Sequence, residues 1–283
     1  MVGPVASRKL VAYVQDRHQV SQRRACRILS LDRSSVRYRP RRQAQSELQQ
    51  QVCKLAEQRP RFGYRRLTTL LRRAGTLVNH KRVYRIYRQE GLAVRRRQRK
   101  RIALGQRPLL NAPSQPGEEW SLDFTQDTLA NGRSFRTLNI IDSYSRLCLA
   151  IEVDTSLPCA RVIRILERLQ AEHGLPQRLR IDNGPEFTAQ ALDAWAYQHA
   201  VQLLFIQPGK PMQNGYIESF NGKFRDECLN LHWFLDLDDA RKMIDAWRFD
   251  YNTLRPHSSL NNLSPVAYLQ SYHSSPDSLT YAG

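Results

Sequence analysis

The feature that most restricts how this 283-residue chain can fold is a change of charge and pattern near residue 112. Residues 1–112 carry 29 Lys and Arg against 5 Asp and Glu, a balance of +24, whereas residues 113–283 carry 15 against 21, a balance of −6. The first part reads as small helical hairpins. The second part has the alternating β-branched and aromatic runs of a sheet. Two regions of different architecture follow, in keeping with a length close to two average domains.

A strongly cationic region implies a polyanionic partner, because Lys and Arg that neutralise phosphates release condensed counterions. Nucleic acid is the natural candidate. Only seven of the 44 basic residues are Lys, so the arginine excess also admits a codon-bias explanation. No window approaches 18 apolar residues, the first ten residues do not read as a secretory signal, and no amphipathic anchor is evident. A soluble, cytoplasmic, nucleoid-associated protein without a membrane partner is the expectation. Cys26, Cys53, Cys148, Cys159 and Cys228 form no C-x-x-C pair, which speaks against disulfides and zinc modules.

In residues 1–44 the stretch 21–39 reads as two short helices about a turn, with Ala25, Ile28 and Leu29 on one apolar face, Val36 beginning another, and Asp32 or Ser34 as a cap. Residues 45–92 form a better hairpin. A helix through Leu48, Val52 and Leu55 ends near Pro60, and Tyr64–Arg73 follows with Leu67, Leu70 and Leu71 on one side. Asn79 then caps a helix with Val83, Ile86 and Tyr87 inward and Lys81, Arg82, Arg85 and Arg88 outward. Such a helix can lay cations into a DNA groove, as recognition helices of helix-turn-helix modules do, or simply present a solvated basic face.

Residues 93–119 combine the basic run Arg95–Arg101 with Pro108, Pro113 and Pro116, a linker pattern able to follow a DNA backbone. From residue 120 to 235 three strands are followed by helix, strand, helix, strand, helix. The helices are expected at Cys159–His173, Ala189–Gln202 and Tyr216–Leu231, with the last strand cut by Pro208. That order predicts an α/β fold, an RNase H-like mixed sheet with flanking helices, preceded by the small all-α helix-turn-helix region. A helix at Asp238–Tyr251 and a polar tail occupy 236–283.

Asp123 falls mid-strand between Leu122 and Phe124, Asp182 ends the strand LRI, and Glu218 opens a helix. The intervening segments hold 58 and 35 residues. Three carboxylates converging from two strands and a helix can hold two divalent cations for phosphodiester chemistry, and hard oxygen donors favour magnesium or manganese. Each has an ordinary alternative. Asp123 can be a solvent-facing strand residue, Asp-Asn-Gly is common turn chemistry, and an isolated helical Glu is usually on the surface. Together the three favour the metal.

The motifs WSLDFT, IDSYSR, IDNGPEF, QNGYIESFNGKFRDE and YNTLRPHSSLNNLSP, in that order, resemble the second-frame product of insertion-sequence-3 family transposases. The carboxylate triad and its 35-residue gap also resemble retroviral integrases. The resemblance spans nearly the whole chain, to about Leu269. It implies a DDE recombinase with Asp123, Asp182 and Glu218 as catalytic metal ligands on an integrase catalytic core. It further implies that Arg225 contacts the element end; seven helical steps of about 100° bring it within about 20° of Glu218, although a simple surface pair would look the same. By analogy Gln213 and Asn214 touch DNA near the scissile phosphate. Asn183 and Gly184 are read as shaping the turn that aims Asp182, and His257 as structural. Helical hairpins stand where retroviral integrases carry a zinc module.

The expected activity is metal-dependent cleavage of insertion-sequence ends followed by strand transfer. A nuclease that only hydrolyses and a DNA-binding repressor with an inert core are the alternatives; the intact triad disfavours the second. The resemblance also implies terminal repeats and target DNA as partners, a homo-oligomer on DNA, and an upstream-frame product that supplies a coiled coil.

Overall fold

The computed structural model of the chain describes residues 4–37, 46–94, 112–207 and 211–274. The basic run Arg95–Arg101, Pro108 of the expected linker, and Pro208 lie outside the described residues. The chain divides into two compact units, Met1–Gln51 and Val52–Gly283.

In the first unit, α1 (Pro4–His18), α2 (Gln22–Ile28) and α3 (Arg33–Arg37) pack around Val11, Ala25, Cys26 and Val36. Ser21 caps α2 by accepting from Arg24 N–H, and Asp32 accepts from Ser34 N–H at the start of α3. The structure departs from the sequence reading at one face. Ile28 is 60% exposed, and the buried pair is Ala25 and Cys26. Helix α1, which the sequence reading did not anticipate, covers the other side of α2 and turns the apolar face away from Ile28.

Helix α4 (Ser46–Gln58) runs across the division. In the second unit α5 (Tyr64–Arg73) and α6 (His80–Gln89) form a hairpin. Gly75 makes the turn after α5 in the left-handed region (φ +85°), which a side chain would strain, and Asn79 caps α6 by accepting from Lys81 N–H at 2.9 Å. Leu67, Leu71, Val83, Ile86 and Tyr87 are buried as their spacing predicts.

The rest of this unit is built on a five-stranded sheet of order β3-β2-β1-β4-β5. Its strands are β1 (Glu119–Thr128), β2 (Ser134–Asp142), β3 (Cys148–Asp154), β4 (Arg178–Ile181) and β5 (Gln202–Phe205). The first three pair antiparallel; β4 and β5 run parallel to β1. Strand alternation divides β1 cleanly. Trp120 and Leu122 pack against α7 (Cys159–His173) and α8 (Gln190–Gln198) through Ile165, Leu169, Leu192 and Trp195. Glu119, Ser121, Asp123 and Thr125 point the opposite way. The expected helix Ala189–Gln202 is shorter than its pattern suggests: Ala200 takes a positive φ of 53° and Gln202 already belongs to β5.

On the second face of the sheet lie α9 (Gly215–Glu227) and α10 (Leu237–Thr253), whose Ile217, Phe220, Phe224, Ile244 and Tyr251 pack on Phe135, Ile141 and Val153. Burial of each such side chain contributes about 1.5–3 kcal/mol. A 3-10 segment, Leu229–Leu231, turns off the end of α9, so the helix stops at Glu227, short of Leu231. The expected polar tail contains α11 (Pro265–His273), capped by Ser264 with Pro265 in its first turn.

Candidate active site

Asp123 is half-buried on the α9 face of β1, opposite Asn139 of β2 in the antiparallel register. Its Oδ1 accepts from the Phe124 N–H and its Oδ2 from the Asn221 side-chain amide, both at 2.8 Å. Asn221 in turn accepts from Asn139 Nδ2 at 2.8 Å, and Asn139 also reaches Thr125 Oγ1 at 2.9 Å. The chain Asn139–Asn221–Asp123 therefore pins α9 to the sheet where the first carboxylate stands. Sequence reasoning missed both asparagines. Their signals are modest: Asn221 lies three positions after Glu218, on the same helical face, and Asn139 interrupts an apolar strand.

Asp182 follows β4 directly, at the carboxyl end of a strand parallel to β1. Its Oδ1 accepts from Gly184 N–H at 3.0 Å, and a Cβ on Gly184 would meet that oxygen at 3.0 Å. Room, not backbone conformation, is what calls for glycine here. Asn183 Nδ2 donates to the Ile206 carbonyl at 2.9 Å, tying the turn to the chain just beyond β5. Further along, Glu186 pairs with Arg136 of β2, whose guanidinium lies 4.4 Å from the Phe124 ring, and Phe124 stacks on Phe187 at 5.0 Å. The turn after Asp182 is thus braced against the residue that follows Asp123.

Glu218 occupies the first turn of α9 and is exposed. Arg225, two turns on and exposed, donates to the Gln126 carbonyl of β1 at 3.4 Å, three residues past Asp123. Gln213 accepts from Gln207 N–H at 2.8 Å. Asn214, expected at a DNA surface, is instead 3% exposed, and its Oδ1 has no hydrogen-bond partner. Its place at the junction of a 3-10 turn and α9 draws the side chain inward.

The carboxylates share one electrostatic neighbourhood. Burial pushes the Asp123 carboxyl up to about 6, and the charges of Asp182 and Glu218 push the same way, against the bonds from Phe124 and Asn221. Among the described residues, however, no group of three His, Cys, Asp or Glu is arranged to hold an ion as it stands. Both aspartates have an oxygen committed to a local donor. The donor set nonetheless fits a hard divalent cation: three carboxylate side chains from three elements, with no lysine or arginine paired to any of them among the described residues.

Lys81, Arg82, Arg85 and Arg88 are all exposed along α6, opposite its buried Val83, Ile86 and Tyr87. His257 is buried with its ring edge-on to Tyr251 at 4.7 Å. The five cysteines are unpaired, and no helix among the described residues is long and apolar enough to cross a membrane.

Comparison with known proteins places these features in company. A family model described as an HTH-like domain matches residues 40–100, and two described as integrase core domains match 113–211 and 199–265. The chain is 47% identical over 265 residues to the insertion element IS407 uncharacterized 31.7 kDa protein of Burkholderia multivorans, covering 93% of this chain and 96% of that one. It is 43% identical over 272 residues to the insertion element IS476 uncharacterized 39.2 kDa protein of Xanthomonas euvesicatoria, covering 96% and 79%. The putative transposase InsK for insertion sequence element IS150 of Escherichia coli is 25% identical over 75% of this chain and 78% of its own. A chain from the cryo-EM structure of the simian T-cell lymphotropic virus intasome in complex with PP2A regulatory subunit B56 gamma shares the fold. Its TM-score is 0.52 at 18% identity, over 80% of this chain and 75% of that one.

Proposed function

The chain belongs to the family of insertion-element proteins that join an HTH-like domain to an integrase core domain, and on that premise we propose that it is a DNA transposase that cleaves the ends of its element and joins the freed 3′-hydroxyls to target DNA. The observation that carries this reading is that half-buried Asp123 lies within electrostatic reach of Asp182 and Glu218, three carboxylates from elements far apart in the chain. Perturbed carboxylates grouped this way are a mark of functional sites.

Asp123, Asp182 and Glu218 would hold magnesium or manganese, two ions in the full complement, which when bound supply Lewis-acid polarisation of phosphodiester oxygens and an acidified attacking hydroxyl. The remaining steps belong to the protein. Asn221 and the Phe124 N–H keep the Asp123 carboxylate in one orientation, and Gly184 does the same for Asp182. Arg225, beside β1, offers a guanidinium to the phosphate backbone entering the site. Lys81, Arg82, Arg85 and Arg88 place α6 against the element end, and Gln213 stands before α9, near the scissile phosphate. In this reading residues 45–92 recognise the end, 93–119 follow the DNA, and 120–235 perform the chemistry. Two ends are held by more than one copy of the chain, and an upstream-frame product strengthens end binding.

The test is incubation of the full chain with labelled element ends and manganese. Nicked and joined products are expected from the native protein, neither from Glu218→Gln, and equal end binding by both. Cleavage that survives Glu218→Gln removes the triad assignment. Cleavage without joined products leaves a hydrolytic nuclease.

A further inference from the structure

Beside the carboxylates, on a different face of α9, lies a cavity of about 380 Å3 whose floor is Glu119 and Ile141 and whose walls include Lys223, Ser219, Tyr216, Arg146 and Arg180. Glu119 and Asp123 share the same face of β1 four residues apart, so the cavity opens about 13 Å along the strand from the first carboxylate. Ser219 and Lys223 lie roughly 100° and 140° around the helix from Glu218. The cavity therefore lies beside the carboxylates and contains none of them, although Gln213, before α9, borders both.

Its charges do not balance. Arg180 is neutralised by Glu119, which accepts from its Nε at 3.0 Å and its Nη2 at 2.7 Å. Lys223 donates to Ser219 Oγ at 3.1 Å and has no carboxylate partner among the described residues. Arg146 lies face-on to the Tyr216 ring at 3.6 Å, donates to the Ser143 carbonyl, and likewise has none. Its backbone is left-handed, φ 63°, in the turn between β2 and β3. Behind Lys223, Glu227 is already taken by Arg255 at 2.6 Å and Arg66 at 2.9 Å. Burial lowers the Lys223 ammonium to about 8, and the guanidiniums of Arg255, Arg66 and Arg146 act in the same direction against the pull of Glu227. Among the charged residues that line the cavity, Arg180 is paired with Glu119 while Lys223 and Arg146 have no carboxylate partner, an arrangement that costs free energy until an anion enters.

We propose that this cavity is a phosphate-binding site, in which Lys223, Arg146 and the Ser219 hydroxyl grip one phosphate of a DNA strand adjacent to the strand position at the carboxylates. An ammonium, a guanidinium and a hydroxyl supply the convergent donors a phosphate needs. The volume exceeds that of a bare anion and leaves room for the attached sugar. The identity of the ligand as DNA rests on the transposase reading; the anion site does not.

The full chain, free of DNA, is titrated with inorganic phosphate at constant ionic strength set by chloride, and binding is followed calorimetrically and by the thermal midpoint. Saturable binding is expected, weakened at least tenfold in Lys223→Met and in Arg146→Gln, unchanged in Arg164→Gln on α7, and displaced by a short single-stranded oligonucleotide. Without phosphate, Lys223→Met is expected to melt higher than the native chain, because it removes a charge from among like charges. No saturable phosphate binding, or binding indifferent to both cavity variants, overturns the proposal. Phosphate binding that the oligonucleotide fails to displace overturns the assignment to DNA. Should the native chain bind phosphate through Lys223 yet fail to cut element ends, the transposase reading falls and the anion site stands.

Discussion

Asn221 of α9 donates a 2.8 Å hydrogen bond to Asp123 of β1, joining the helix that bears Glu218 to the strand that bears its partner carboxylate. The amide is oriented by Asn139, which donates to its oxygen. A hydrogen-bonded partner of this kind fixes a ligand's direction and typically carries 10- to 100-fold of activity or metal affinity. Asn221→Ala is expected to lower end cleavage by about 10- to 100-fold while leaving end binding intact. Full activity in the variant would show that Asp123 is held well enough by the Phe124 N–H alone.

Gly184→Ala probes the second carboxylate. The added methyl would meet Asp182 Oδ1 at 3.0 Å, so the carboxylate must turn off its bond to the Gly184 N–H. Cleavage is expected to fall about tenfold, with a stability change within about 1 kcal/mol, since no core packing is lost. Turnover equal to the native protein with rising manganese would place the defect in metal affinity; turnover that stays low would place it in geometry.

Glu227 is the shared acceptor of Arg255 and Arg66, and Arg255 is only 2% exposed. Removing the carboxylate leaves a buried guanidinium without its counter-charge, a change that costs about 3–5 kcal/mol in comparable buried pairs. Urea denaturation of Glu227→Gln should show that loss at neutral pH. A loss below about 1 kcal/mol would mean that water reaches Arg255 when the pair is broken.

Acid should weaken the fold through His257. Burial lowers its imidazole from the ordinary 6.5 to about 2, with Arg255, Lys223 and Arg66 acting in the same sense and a backbone bond involving Tyr251 opposing them. The unfolded chain takes up a proton below about pH 6.5 that the folded chain refuses. The His257 contribution is therefore intact above that pH and declines by about 1.4 kcal/mol per pH unit as the pH falls toward 2. Comparing His257→Gln with the native chain at pH 6.5 and pH 5, the native protein should lose about 2 kcal/mol more. Parallel losses would remove His257 as the cause.

Much of the architecture could be read from the residues because the patterns were local. The alternation in WSLDFTQDT and the 3.6-residue spacing of Val162, Leu166 and Leu169 both reflect single elements meeting one core. Ile28 was misplaced because its environment depends on α1, a helix of weak amphipathic pattern lying elsewhere in the chain. The boundary at Ala200 turned on a backbone conformation that residue type does not advertise. At the site, carboxylate spacing pointed to Asp123, Asp182 and Glu218, whereas the asparagine chain behind them and the burial of Asn214 arise only when α9 settles on the sheet. The cavity cations were least legible of all. Lys223 and Arg146 are 77 positions apart, and nothing in either local pattern announces the other.

The double grip on Glu227 has a mechanical consequence. Arg66 reaches it from the helical hairpin and Arg255 from the segment after α10, while Arg59 pairs with Asp250 within α10. Arg66–Glu227 and Arg59–Asp250 thus tie the hairpin region to the two helices that cover the sheet. If α6 reads the element end as proposed, breaking either pair, for example by Arg66→Gln, should disturb the register between end recognition and cutting without altering either surface.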